Sequence, residues 1–310
     1  LSVPLRWTGY TGVGFSRISV NPSLSIIYKL NYAWRFTAHA SYKERYGEMT
    51  DLYDRPYQTD YRNSVWNCGI LPVYRQQLYS VYGEYKNTAR EFFATVNLTH
   101  NREWYNRIYE QRIENGQVQR VSLPLSNHGS GYTVKSTLSK GFYDLGLKTS
   151  LMALLNISKA EQISGGQRLP YQYRLMRLEP KVIWTPNRHW ETSYQTDIRY
   201  GGNKIGERTR LAPLWNVIQQ VQLSYIFSPI EASLSVDHYH NDVNEDQSVN
   251  AVFADFSVLW KSGRWQITAT ATNLFDKRTY AYTRYASLES YTSWVRIRPR
   301  EFLVAIRYRL

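Results

Sequence analysis

Apolar and polar residues alternate one by one along most of this chain, and this pattern constrains the fold more than any other feature. A period of two places every second side chain on the same face of a β-strand. Helical periodicity of comparable strength is absent. The pattern predicts an all-β fold with 13 antiparallel strands at 22–31, 34–43, 76–87, 90–101, 129–141, 145–158, 170–185, 189–200, 214–227, 230–241, 249–260, 264–280 and 296–310.

The connections between these strands fall into two classes that alternate strictly along the chain. One class has about two to four residues, as expected of hairpin turns. A transmembrane β-barrel sorts its connections in this way, with short periplasmic turns and long extracellular loops. The fold class predicted is therefore an antiparallel transmembrane β-barrel. The long connections are 47–74, 102–128, 159–169, 201–213, 242–248 and 281–295.

The composition agrees with a transmembrane barrel when the two faces of each strand are considered separately. Only 43% of residues are hydrophobic, and no apolar run approaches the roughly 20 residues of a membrane-spanning helix. On segment 264–272, Trp265 and Ile267 would meet lipid, whereas Gln266 and Thr268 would face the lumen. The single cysteine, Cys68, excludes an intramolecular disulfide framework and a cysteine-rich zinc site.

Tryptophans lie close to the short turns. Indole rings prefer the headgroup level of a membrane, where one end of the ring is wet and the other is not. The alternative is ordinary core aromatics near hairpin ends. The girdle predicted on the periplasmic side comprises Trp34, Trp184, Trp190, Trp260 and Trp265.

Strand parity predicts which side each end occupies. The last strand returns from a long loop, so the C-terminus is expected on the periplasmic side. Counting back 13 strands places the start of the first strand on the cell surface. Because bacterial single-chain barrels have even strand numbers, we expect the chain to be the C-terminal part of a larger barrel.

Two C-terminal segments carry a family resemblance. Asn273–Arg278 (NLFDKR) and Arg298–Phe302 (RPREF) resemble the C-terminal end of TonB-dependent outer-membrane receptors. Segments Tyr46–Tyr53 and Asn67–Gly69 resemble barrel loops of Bacteroidetes receptors whose full-length chains have a carboxypeptidase-like regulatory N-terminal domain. The final alternation resembles the signal read by the barrel assembly machinery, although that signal usually ends in Phe. Its residues here are Phe302, Val304, Ile306, Tyr308 and Leu310.

The resemblance implies a fold and a function beyond what the residues themselves establish. Such receptors have 22 strands, an N-terminal plug and a TonB-contacting segment. Residues 1–310 would form the last 13 strands of the barrel domain, with the plug and the TonB-contacting segment absent. The intact protein would be an outer-membrane receptor for active uptake of a siderophore, haem, vitamin, glycan or peptide. Its implied partners are outer-membrane lipid and lipopolysaccharide, the barrel assembly machinery, the TonB system and the nutrient.

Candidate ligand contacts lie in two long loops rich in aromatic and basic residues. Aromatic rings stack on sugars or planar ligands, and arginine binds carboxylate or phosphate. The alternative is that these loops simply pack on each other at the barrel mouth. The candidates are Tyr53, Tyr57, Tyr61 and Trp66 in the first loop and Trp104, Tyr105 and Arg107 in the second.

No catalytic motif, phosphate-binding glycine loop or cofactor signature occurs, and we expect neither an enzyme nor a bound cofactor. His238 and His240 share a strand face, but a polar strand end explains them better than a metal site. The net charge of +13 would fit nucleic-acid binding. However, the basic residues are scattered, with no cluster on one segment, and a lipopolysaccharide leaflet or an anionic ligand explains the same excess. We therefore expect no nucleic-acid partner.

Two other functions stay open. The first is a complete small porin or channel of about 14 strands, which would require one more strand within residues 1–21. The Gly- and Pro-broken segment Ser2–Gly12 argues against that strand. The second is a membrane-embedded protease or phospholipase, which would require a Ser/His or Asp/His set near the outer rim.

Overall fold

The computed structural model describes residues 1–10, 14–114, 116–206, 209–210, 212–244, 246–285 and 290–309. The regular secondary structure in these ranges is β-strand, apart from two short 3₁₀ turns, η1 (Met49–Leu52) and η2 (Tyr143–Leu145). No helix in the described ranges is long and apolar enough to cross a membrane. The strands, in chain order, are β1 (Leu5–Tyr10), β2 (Phe15–Val20), β3 (Ser23–Lys29), β4 (Trp34–Tyr46), β5 (Tyr57–Gln58), β6 (Asn63–Trp66), β7 (Val73–Asn87), β8 (Phe92–Tyr105), β9 (Ile108–Glu114), β10 (Gln117–Leu123), β11 (Asn127–Phe142), β12 (Leu147–Ser164), β13 (Gln167–Asn187), β14 (Trp190–Ile205), β15 (Thr209–Arg210), β16 (Leu214–Phe227), β17 (Ile230–Asp242), β18 (Ser248–Ser262), β19 (Trp265–Thr272), β20 (Thr279–Tyr285), β21 (Ser290–Arg296) and β22 (Glu301–Tyr308).

Each of the 13 predicted segments contains one long strand of a single antiparallel sheet, so the predicted all-β fold class is confirmed. These wall strands are β3, β4, β7, β8, β11, β12, β13, β14, β16, β17, β18, β19 and β22, and each pairs with the next in this order. Within the described residues no paired register joins β3 to β22. Outward-facing side chains on these two strands are exposed to solvent, with Ile26 of β3 56% exposed and Phe302 of β22 74% exposed.

Four details differ from the sequence expectation. The strand predicted over 264–280 ends at Thr272, and the chain then leaves the sheet as the β20–β21 hairpin before β22 resumes the wall. The segment 1–21, for which no strand was predicted, contains β1 and β2, which pair with each other antiparallel. The predicted loop 159–169 is mostly strand, because β12 and β13 extend to a turn at Gly165 and Gly166, both at positive φ. The loops 47–74 and 102–128 contain β5, β6, β9 and β10.

The two faces of the sheet differ in polarity. On the outer face, paired registers bring apolar side chains into a row that crosses consecutive wall strands, as expected for a lipid-facing band. Val81, Leu98 and Met176 in this row are 48–54% exposed. The row comprises Ile26, Ala38, Val81, Leu98, Val134, Leu155 and Met176.

The inner face, by contrast, is polar and carries ion pairs across strands. Arg35 pairs with Glu84 at 2.5 Å between β4 and β7. Arg177 pairs with Asp197 at 2.9 Å between β13 and β14, and Arg199 joins the same carboxylate at 2.6 Å. A charged, hydrogen-bonded surface of this kind is what a barrel presents to a water-filled interior.

Candidate functional site

Two long loops combine into a small sheet at the long-loop end of the wall. β5 pairs with β6, β6 runs parallel to β10, and β10 pairs with β9. β9 is in turn attached to the extension of β12, where Glu110 and Gln111 face Ile163 and Ser164. Four short strands from separate loops therefore form one layer fixed to the wall.

A cavity of about 800 Å³ lies between this loop sheet and the wall strands. Its wall side is formed by β8, β11, β12 and β13, and its loop side by β5–β6 and β9–β10. This volume is in the range of small-molecule sites, which combine apolar lining with a few placed polar groups. Residues from both sides that matter for chemistry are Glu103, Tyr105, Arg107, Tyr109, Arg120 and Tyr171.

Glu103 is the acidic centre of the wall side. Its Oε1 accepts hydrogen bonds of 3.0 Å each from the Tyr74 hydroxyl, Gln76 Nε2 and Asn101 Nδ2. Its Oε2 accepts the Tyr105 hydroxyl at 2.8 Å. All four donors are neutral groups, so within the described residues the carboxylate is fixed in position without an ion pair.

Arginine and tyrosine form the basic loop side. The Arg120 guanidinium carbon lies 3.6 Å from the Tyr109 ring centroid and that of Arg107 lies 5.0 Å away, both within cation–π range. Arg107 also donates to Asp51 at 2.9 Å. Burial raises the pKa of Tyr109, against the opposite effect of the two arginines, so its hydroxyl stays protonated at neutral pH.

The two sides offer complementary chemistry to a ligand. In the described part of the chain, Arg120 has no carboxylate within ion-pair distance, whereas Arg107 is already paired with Asp51. Arg120 is therefore the cation available to a carboxylate, phosphate or other anionic group. The phenol rings beside it can stack on a planar group.

Two of the seven residues proposed as ligand contacts, Tyr105 and Arg107, line this cavity. The others lie elsewhere. Tyr53 and Tyr57 contact each other with ring centroids 6.1 Å apart, and Tyr61 is 79% exposed. The Trp66 indole donates to Asp54, and Trp104 lies on the outer face of β8.

Sequence reasoning missed Glu103 and Arg120, whereas Tyr109 lies among the aromatic residues of the loop 102–128 that suggested ligand contact. The signal for Glu103 was available, because it shares the inner face of its strand with Asn101 and Tyr105. Tyr109 and Arg120 meet only because β9 and β10 pair, and a hairpin inside a long loop was not predicted.

The predicted girdle tryptophans all lie at the short-turn end of their strands. Trp34, Trp184, Trp190 and Trp265 are 40–50% exposed, and Trp260 is half-buried. On the last strand, Phe302, Val304 and Ile306 are at least 64% exposed on the outer face and Tyr308 is 45% exposed. Leu310, the final residue of the predicted assembly signal, lies outside the described residues.

His238 and His240 have amide partners. The Nδ1 of His238 lies 3.1 Å from Gln219 Oε1, and that of His240 lies 2.9 Å from Asn250 Oδ1. Over the described ranges, no group of three or more His, Cys, Asp or Glu side chains is arranged to hold a metal ion.

The NLFDKR segment forms a clamp at the base of the β20–β21 hairpin. Asn273, at φ 51°, donates through Nδ2 to the carbonyls of Lys277 and Arg298, at 2.8 and 2.9 Å. Its Oδ1 accepts the Lys277 amide at 3.0 Å, and Asp276 accepts the Arg300 amide at 3.0 Å. The clamp joins the two ends of the inserted hairpin, so that β22 can resume pairing with β19.

No family model matches the sequence, and no curated protein matches it. Solved structures do resemble it in fold. The ferric yersiniabactin uptake receptor FyuA from Yersinia pestis is 8% identical, with a TM-score of 0.48, over 94% of this chain and 50% of that receptor. FpvA from P. aeruginosa, solved with bound pyoverdines, is 10% identical, with a TM-score of 0.48, over 93% of this chain and 44% of that one.

Both are TonB-dependent siderophore receptors, the kind of receptor that the C-terminal motifs resemble. The chain spans about half the length of each. The Pseudomonas putida toluene transporter TodX is also similar, with 12% identity and a TM-score of 0.27, over 93% of this chain and 81% of that one.

Proposed function

We propose that this chain is part of an outer-membrane receptor and transporter barrel that takes up a scarce nutrient by TonB-dependent active transport. The observation that carries the proposal is the combination of an apolar outer face, a polar, ion-paired inner face and a cavity between the loop sheet and the wall at the long-loop end. This is the arrangement that a membrane receptor needs, because lipid and ligand contact opposite faces of the same strands.

The ligand would be an anionic molecule with a planar group. Arg120 would bind its carboxylate, phosphate or catecholate oxygens, and Tyr109 and Tyr105 would contact its plane. Glu103 would accept a hydrogen bond from a donor group on the same molecule. Siderophores, haem, vitamins, acidic glycans and peptides all include members of this description.

The same proposal includes a location and partners. The chain would lie in the outer membrane of a Gram-negative cell with its C-terminus in the periplasm. The barrel assembly machinery would insert it, and the TonB system would supply energy through another part of the full-length protein. The proposed function includes neither a catalytic activity nor a resident cofactor.

Growth of a deletion strain tests the function. The strain would be supplied with single sources of iron, vitamins or glycans, with and without an intact TonB system. We expect the full-length gene to restore growth on one source only when TonB is present, and the R120E variant to require at least roughly tenfold more of that source. R62E, which changes an exposed loop arginine stacked on Tyr61, is the matched control. Full complementation by R120E would contradict the proposed ligand site at Arg120.

The alternative is a small passive porin or channel of about 14 strands. The additional β1–β2 hairpin, not expected from the sequence, keeps this reading open. A porin would carry its solute equally well without TonB and without an energised inner membrane. Uptake that requires neither TonB nor an energised inner membrane would favour the porin and contradict the proposed receptor.

A further inference from the structure

The inner face has a second pocket at the short-turn end of the wall. It lies on β8, β11, β12 and β13, the same four strands that form the wall side of the loop-end cavity, and its volume is about 450 Å³. Phe93 of this pocket and Glu103 of the cavity share the inner face of β8. They are ten residues apart, which is about 33 Å along a strand. The two are therefore separate sites on one surface.

One row of paired residues explains the shape of this pocket. Phe93 of β8 is opposite Ser139 of β11. Ser139 is opposite Ser150 of β12, which is in turn opposite Lys181 of β13. The two serines are small, and Gly141 beside them has no side chain, so the row is low in the middle and high at its ends. The Phe93 ring stands at one end, 36% exposed, and the Lys181 side chain stands at the other.

The pocket carries more positive than negative charge. Lys148 of β12 lies diagonally across from Lys181 of β13 on the inner face, about 7–8 Å away at the backbone. Among the described residues neither lysine has a carboxylate within ion-pair distance, although Glu91 lines the turn end of the pocket. The nearest acid on β13, Glu179, is paired with Arg177. Two cations and one carboxylate therefore leave the pocket with a net positive charge.

The pocket repeats the chemistry of the loop-end cavity. In the cavity, the Arg120 guanidinium is available to an anionic group beside tyrosine rings that can stack on a planar group. In the pocket, the ammonium groups of Lys148 and Lys181 are available across from the Phe93 ring. A cation would be repelled by the two lysines, and an apolar solute would leave both of them without a partner. The chemistry therefore selects a planar organic anion.

We propose that this pocket is a second binding site for the planar anion, which it holds at the short-turn end of the inner wall after release from the loop-end cavity. The inference rests on the proposed function, because uptake supplies both the anion and its direction of travel. Lys148 and Lys181 bind a carboxylate or phosphate group of the molecule, and Phe93 contacts its ring. Since both sites require the same chemistry of the ligand, one molecule fits them in turn.

Pyridoxal phosphate is the probe for this site, because it is a planar aromatic anion whose aldehyde marks the lysines that bind it. The aldehyde condenses with a lysine amine and releases water, borohydride reduces the imine to a secondary amine, and peptide mass spectrometry identifies the lysine. The full-length protein would be labelled in mild detergent. Pyridoxal, which has the aldehyde but no phosphate, is the control probe. Lys135 is the internal control, since it is an exposed inner-face lysine of β11 outside the pocket.

Three variants separate the parts of the pocket. Phe93→Ala removes the ring, Ser150→Leu fills the middle of the row, and Glu91→Gln removes the opposing charge. Lys135→Gln, which removes an inner-face lysine elsewhere on the wall, is the matched control. Heat-modifiable migration on SDS gels would verify that each variant is folded.

We expect pyridoxal phosphate to label Lys148 and Lys181 of the wild type roughly tenfold more than pyridoxal does, each relative to Lys135. Phe93→Ala and Ser150→Leu should reduce this preference, and Glu91→Gln should increase it because one negative charge is removed. In a second measurement, K148Q/K181Q should require more of the growth source than the wild type. Binding of that source to whole cells should stay unchanged, because the loop-end cavity is intact.

Two results would overturn the inference. One is equal relative labelling of both lysines by the two aldehydes. The other is protection of both lysines in the full-length protein together with carbodiimide crosslinks from them to another segment, which would assign the pocket to an acidic part of the protein itself. The outcomes also separate this site from the proposed function. Equal labelling in a protein that supports TonB-dependent growth contradicts only the pocket, whereas preferential labelling without such growth contradicts the proposed function and keeps the anion site.

Discussion

At the residue scale, the positions that determine this structure are polar side chains that fix the ends of strands. Asn273 is only 7% exposed and adopts a backbone conformation that asparagine tolerates better than most residues. The motif around it was recognised in the sequence as a family resemblance. Its physical role, joining the two ends of an inserted hairpin, cannot be deduced from the local sequence, because Arg298 lies 25 residues away.

Replacing Asn273 should therefore destabilise the wall at β19 and β22. Asn273→Ala removes three hydrogen bonds, leaves two carbonyls unpaired and strains the positive φ, which together should cost about 2–4 kcal/mol. Urea unfolding of the protein in lipid vesicles would measure the change. Asn244→Ala, at an exposed loop asparagine bonded only within its own loop, is the control and should change little. Equal stability of the two variants would show that the clamp is not needed.

We expect Asp60 to give the loop sheet a pH dependence. It accepts the amides of Arg62 and Asn63 and the Asn63 side chain, at 2.7–2.9 Å. These bonds lower the pKa of Asp60, and the bond from the Asn63 side chain has the largest effect. The bonds are therefore fully present above the ordinary aspartate pKa of about 4 and are lost as pH falls through the lowered value.

Pepsin digestion would measure this, because the loop holds Tyr57 and Tyr61. We expect the wild-type loop to resist cleavage near pH 4, which is about the ordinary aspartate pKa, and to be cut near pH 2, well below it. The Asp60→Ala loop should be cut at both pH values. Identical digestion of the two proteins near pH 4 would contradict a structural role for this carboxylate.

At the scale of elements, alternation in the sequence was sufficient to locate all 13 wall strands, because each has one lipid-facing and one inner side. It was not sufficient inside the long loops. β5, β6, β9 and β10 are two to seven residues long, and their pairing joins residues of separate loops. The break at Asn273 was missed for a different reason: apolar residues on both sides continue the alternation, and only the positive φ and the clamp interrupt the strand.

The β20–β21 hairpin packs against the inner face of β17. Asn241, 2% exposed, donates to the Tyr280 hydroxyl at 3.0 Å and to the Ala281 carbonyl at 3.3 Å, and Tyr239 contacts the Tyr280 ring edge-on. Ala281 is fully buried there. The hairpin therefore covers part of the inner wall.

Cysteine crosslinking tests this position. In a Cys68→Ser background, the pair Asn241→Cys and Ala281→Cys should form a disulfide on mild oxidation, detected by the linkage of proteolytic fragments. The control pair, His240→Cys with Ala281→Cys, shifts one cysteine to the adjacent residue of β17. Since successive strand residues point to opposite faces, the control should stay reduced. Crosslinking of both pairs to the same extent would indicate a hairpin that is not held on the inner face.

At the scale of the whole molecule, the two faces of one sheet meet different surroundings. A row of apolar residues that includes Leu223, Leu234 and Phe256 continues the outer band across β16, β17 and β18. Directly beside Leu234, Ser235 lies on the inner face opposite Asp255. Neighbouring positions on a single strand should therefore respond in opposite ways to the same charge.

An arginine at each position makes that difference measurable. Leu234→Arg would place a cation in lipid near the middle of a strand, at a cost of about 2–4 kcal/mol. Ser235→Arg would place the same cation in the polar interior, where Asp255 can pair with it, and should cost far less. Urea unfolding in lipid vesicles and the amount of protein in the outer-membrane fraction would both be measured. If the protein instead folded in water around an apolar core, the stability of neither variant would depend on lipid. The stabilities of the two variants would then differ only through local packing.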